Sequence, residues 1–125
     1  MQGEPAGETR PLTSVERSLL SAMIECVGEQ ESRILRSQLE VAQAQSGCPC
    51  GCGTIDIVLP DGITASARTG AGVLVEGDVL DEAGQTIGGL LLFLDEGRLH
   101  DLEVWSMGEP LDLPSVELTR LRAAV

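Results

Sequence analysis

A short stretch, Ser46-Gly-Cys-Pro-Cys-Gly-Cys-Gly53, divides this chain into two kinds of sequence. Before it, apolar residues recur at helical spacing; after it, they alternate or run together as they do in strands. A chain of 125 residues is one domain's worth, since folding at that size buries roughly two-thirds of the unfolded surface, enough for a real core. The division therefore predicts a single α+β domain. Its glycines and proline let the chain leave a helix and enter a strand sharply.

Residues 1–11, rich in Gly, Pro and Glu, are expected to form a flexible leader, with the domain spanning 12–125. Thr13-Ser-Val-Glu16 has the pattern of a capping box, in which the Thr13 hydroxyl and the Glu16 carboxylate each satisfy an orphan amide. Leu12 is placed for a hydrophobic staple. The spacing of Val15, Leu19 and Met23, and of Leu20, Ile24 and Val27, predicts a first helix from Ser14 to Cys26, ended by Gly28 as a C-cap. Glu29 to Gln45 reads as a second helix with Ile34, Leu35, Leu39 and Ala42 facing inward. The short break between them implies a helical hairpin.

Past the cysteines, Thr54–Leu59 alternates Ile55, Ile57 and Leu59 against Thr54, Asp56 and Val58, the signature of a half-buried strand. Gly72–Leu80, Gln85–Leu94 and Leu99–Ser106 read as three more strands. The run Ile87-Gly-Gly-Leu-Leu-Leu-Phe-Leu94 is apolar enough to be central. Ile63–Gly72 is expected as a mobile loop, and Val116–Ala124 as a short last helix. The expected architecture is thus α+β: an N-terminal hairpin of two helices packed on one face of an antiparallel meander of about four strands.

Charge limits the function classes. There are 20 acidic residues against eight basic ones, for a net charge of −12. Nucleic acid and anionic lipid are expected to be repelled, because binding either calls for a basic face. A protein partner with a basic surface is favoured instead, through steering that weakens with salt; acidity for solubility alone is the plainer explanation. No apolar run reaches the roughly 18 residues of a membrane helix, and Met1–Pro11 is no signal peptide. A cytoplasmic location, with reduced thiols, is the expectation.

Three segments carry a resemblance: Leu12-Thr-Ser-Val-Glu-Arg-Ser-Leu-Leu20, the Gly-Cys-Gly53 run continuing into Thr-Ile-Asp56, and Asp95-Glu-Gly-Arg-Leu-His-Asp-Leu-Glu-Val104. Together they resemble a group of short uncharacterised bacterial proteins with a Cys-Gly-Cys element, some of which look like the small acidic immunity proteins of toxin systems. The resemblance implies the same α+β arrangement and no particular chemistry. This chain departs from that pattern in having three cysteines at alternate positions, with a proline between the first two.

Two candidate sites follow. Cys26, Cys48, Cys50 and Cys52 match the count of a closed tetrahedral zinc site, yet single residues separate the last three where zinc knuckles place two to four. Packing of these cysteines as small hydrophobes, or a disulfide or reactive thiol, are the other readings. No cofactor is expected unless these four bind zinc. The second site is an acidic hairpin rim, Asp95, Glu96, Asp101 and Glu103, beside Trp105, which suits a protein interface. His100 is the only histidine and has no nucleophile motif beside it. The leading expectation is a non-enzymatic acidic protein that binds a basic partner, immunity-like in kind; the alternative is a metal-binding or thiol-based protein.

Overall fold

The computed structural model of the protein describes residues 9–46, 53–109, 111 and 118–123. Two helices, α1 (Ser14–Ile24) and α2 (Glu29–Val41), lie between β1 (Arg10–Pro11) and β2 (Gln43–Ser46). Five strands follow: β3 (Ile55–Val58), β4 (Ala71–Leu80), β5 (Thr86–Asp95), β6 (Arg98–Ser106) and β7 (Leu118–Ala123). All seven join one sheet in the order β1-β2-β3-β6-β5-β4-β7, every neighbour antiparallel.

This corrects the expected meander of about four strands in number and in order, since β3 pairs with β6 and not with β4, which follows it in sequence. Three strands were hidden by local chemistry that points elsewhere. Ala and Gln favour helix, so Gln43–Gln45 read as the end of the second helix; in the fold α2 stops at Val41, Ala42 turns extended, and Ala44 packs fully buried in the core. Arg10 and Pro11, in the stretch expected as leader, pair with Ala44 and Gln43. Proline is tolerated there because β1 is an edge strand that need not donate at that position. The predicted last helix is β7: Leu118-Thr-Arg-Leu-Arg-Ala123 satisfies helical spacing at Leu118 and Leu121, but β4 offers an unpaired edge and takes the segment as a strand.

The start of α1 is locally determined. Thr13 Oγ1 accepts from the Glu16 amide at 3.0 Å, and Glu16 Oε1 accepts from the Thr13 amide at 2.9 Å. Arg10 then donates twice to the same carboxylate, at 2.9 and 2.8 Å, tying β1 to the helix. Gly28 has an extended backbone and N-caps α2; it is not the left-handed stop expected for α1, whose C-cap is Glu25.

Alternation divides the sheet into two faces. Leu90, Leu92, Leu94, Leu99, Leu102, Val104, Ile55 and Ile57 point to the inner face, where Leu20, Met23, Ile24, Leu35 and Leu39 of the helices meet them. α2 packs on β6 and α1 on β4. A bulge in β4 sets Val73 opposite Phe93 but Val75 opposite Leu92, so Leu74 and Val75 are both buried.

One buried polar side chain joins three parts of this layer. Gln38 of α2 is 0% exposed. Its amide donates to the Thr64 and Gly97 carbonyls at 2.9 and 3.0 Å, and its carbonyl accepts from the Leu99 amide at 2.9 Å. Ser66 also donates to Gly97 O at 2.9 Å. The glycine-rich connection expected to be mobile is therefore pinned at Thr64 and Ser66. A side chain at Gly97 would fall 2.3 Å from Ser66 O, and its φ of +77° favours glycine as well.

Candidate partner-binding face

Among the described residues, no helix lies over the outer face of the sheet. Antiparallel sheets tolerate this when the outward residues of each strand are polar or partly so, and here they are mixed. From β6 come Asp101, Glu103 and Trp105; from β5, Leu91 and Phe93; from β3, Asp56; from β4, Val73, Glu76 and Asp78. The registers align them in rows. Asp56 lies opposite Asp101, which lies opposite Phe93; Glu103, Leu91 and Glu76 form the next row; Trp105, Gly89 and Asp78 form the third.

Gly89 explains where Trp105 sits. A Cβ there would fall 2.7 Å from Trp105 Nε1 and 2.8 Å from Cε2, so the indole rests where a side chain would otherwise stand. The residue remains 40% exposed. Trp105 thus packs over the Gly89 backbone while staying partly open to solvent, an apolar surface available for docking.

The carboxylates around it are unevenly balanced. Arg122 of β7 spans two of them, 3.2 Å from Asp78 and 3.0 Å from Glu76. Asp56, Asp101 and Glu103 have no arginine ion-paired to them among the described residues. Asp56 and Asp101 stand directly across from each other, an arrangement that like charges disfavour. His100 answers part of this charge. It is the extra residue of a bulge between Leu99, opposite Leu94, and Asp101, opposite Phe93. Its Nδ1 lies 2.6 Å from Asp101 Oδ1. That hydrogen bond raises the imidazole pKa above its ordinary value, burial opposes the rise, and the charges of Asp101, Asp95 and Asp56 add to it.

Of the residues named from sequence, Asp101, Glu103 and Trp105 share this face. Asp95 and Glu96 do not belong to it in the same way, for they stand at the tip of the β5–β6 turn. Glu96 holds a positive φ of 51°, and its backbone and side chain both bond Gly70: the Glu96 amide donates to Gly70 O, and Glu96 Oε2 accepts from the Gly70 amide, each at 2.9 Å. Its carboxylate anchors the 60–70 connection. Asp56 was missed as a site residue because β3 and β6 pair across more than forty positions of sequence, and Leu91 and Phe93 because they lie in an apolar run that reads as core on both faces. The alternation at Asp56 was the available signal.

Cys26 lies half-buried past the end of α1, its thiol donating to Ala22 O at 3.7 Å. Burial raises its pKa and the neighbouring Glu25 carboxylate adds to the rise, which disfavours the thiolate that metal ligation and nucleophilic attack both require. Cys48, Cys50 and Cys52 lie outside the described residues. Among the described residues no group of three or more His, Cys, Asp or Glu side chains is arranged to hold a metal ion. A cleft of about 560 Å³ opens between the first turn of α2 and Ser66–Arg68, but Arg68 and Glu31 pair across it and neutralise each other. Among the described residues, no helix is long and apolar enough to cross a membrane.

Residues 9–110 match the model of a family described as a domain of unknown function (DUF6984), and the chain belongs to that family. No curated protein and no solved structure matches it.

Proposed function

We propose that this member of the DUF6984 family is a non-enzymatic interaction protein that binds a basic protein partner through the open face of its sheet. One observation carries the reading: Trp105, Phe93 and Leu91 share that face with Asp56, Asp101 and Glu103, which have no arginine partner among the described residues. An interface anchor needs a partly exposed aromatic whose surroundings select the partner, and here the surroundings select positive charge. The net charge of −12 extends that selection to longer range, raising the rate of encounter with cations and turning away nucleic acid. The bacterial, immunity-like character suggested by the resemblance belongs to the same proposal, since such a protein works by covering a basic surface on another.

The test compares the protein with a variant carrying Asp56→Asn, Asp101→Asn and Glu103→Gln. A partner retained from the source cell at low salt, weakened at moderate salt and lost by the variant supports the reading. Equal retention by both proteins would place the partner elsewhere, and retention of nothing at either salt would sink the idea.

A further inference from the structure

Within the open face, the acidic residues fall into a compensated and an uncompensated half. On the β4 side the chain supplies its own cation, Arg122, whose guanidinium uses two different nitrogens to reach Asp78 and Glu76. On the β3–β6 side, Glu103 has no such partner among the described residues, and it stands two residues before Trp105 on the same face of the same strand. A cation entering this half meets a carboxylate and an exposed indole together.

The two common protein cations respond differently to that pairing. A guanidinium is planar, weakly hydrated and always charged, so it can lie on an aromatic ring while directing N–H groups at a carboxylate. An ammonium is compact and strongly hydrated, and gains less from the ring. Resting on the premise that the open face takes a basic protein, we propose that the partner's anchor is an arginine in an exposed segment, its guanidinium stacked on Trp105 and hydrogen-bonded to Glu103. Arg122 makes the equivalent carboxylate contacts two strands away, so the face already accommodates one guanidinium lying along it. Charge complementarity selects the sign of the occupant, and the indole selects arginine over lysine.

Trp105 is the only tryptophan and there is no tyrosine, so emission excited in the protein reports this residue directly. A short peptide alternating arginine with serine, and its lysine counterpart of equal length, are titrated against the protein. The arginine peptide is expected to bind about tenfold more tightly and to change the emission, and Trp105→Ala should remove that advantage while leaving weak salt-sensitive binding. Glu103→Gln keeps the ring and should weaken the arginine peptide severalfold. Equal affinity for both peptides with unaltered emission overturns the arginine anchor and leaves the basic-partner reading standing. Failure of both peptides to bind the wild type overturns both. A dimer in sedimentation without peptide, lost in Trp105→Phe, would identify a second copy as the occupant and also overturn the proposal.

Discussion

On the inner side of β6, Leu99, Leu102 and Val104 are buried beneath α2, while on its outer side Asp101, Glu103 and Trp105 meet solvent. These residues alternate within nine consecutive positions, Arg98–Ser106, yet they answer to different demands. The inner set is apolar and close-packed, and the fully buried Gln38 packed among it is satisfied through three hydrogen bonds. The outer set leaves like charges across from each other and a large ring uncovered, which folding alone would not select. An uncovered ring beside carboxylates without arginine partners is what the proposed interface calls for.

Substitutions should separate the two faces. Leu102→Ala, at a fully buried position, should cost about 2–5 kcal/mol in denaturant unfolding through lost burial and the cavity left behind. Gln38→Ala should cost about 2–3 kcal/mol, because the Thr64 carbonyl and the Leu99 amide lose the Gln38 side chain in a place water reaches poorly, and the Gly97 carbonyl is left with the Ser66 amide alone. Hydrogen exchange at Leu99 should rise in the same variant. A Gln38→Ala protein as stable as wild type would show that the 60–70 connection is held without it.

The third effect depends on pH. The Arg10 guanidinium bonds the Glu16 carboxyl and holds it below its usual range, with burial opposing and the Thr13 amide assisting. A carboxyl whose folded pKa lies below its unfolded value, about 4.3, contributes stability above that value and loses it as pH falls through the folded pKa. Arg10→Met should therefore cost about 1 kcal/mol near neutral pH, Arg10 being partly exposed and screened. The deficit should shrink in acid, below the unfolded pKa. A deficit constant with pH would place the contribution of Arg10 in packing.

The smallest stability effect belongs to the outer face. Asp56→Asn relieves the repulsion with Asp101 and should leave unfolding free energy within about 0.5 kcal/mol of wild type, in the stabilising direction at low salt. A loss as large as that of Gln38→Ala would erase the distinction between the faces.

Much of the local structure was legible before any tertiary contact was known. Thr13 and Glu16 announce the start of α1 because a capping box is made by residues three apart. Strands β3 to β6 show themselves through alternation or an unbroken apolar run. Glu96 was legible only as a charge, since its bond to Gly70 spans 26 positions. Asp101, Glu103 and Trp105 could be grouped because they lie on one strand, whereas Asp56 comes from a strand distant in the sequence.

Sequence by itself determined the helices' apolar stripes, the strand character of β3 to β6 and the acidity of the chain, since each depends on neighbours in the chain or on composition. Tertiary structure decided the rest. Gln43–Ser46 and Leu118–Ala123 became strands because unpaired edges of β3 and β4 stood ready for them, and an open hydrogen-bonding edge outweighs the weak helical preference of a short segment. The candidate face was decided in the same way: it exists where β3, β5 and β6 lie side by side, and register across distant strands is a property of the sheet.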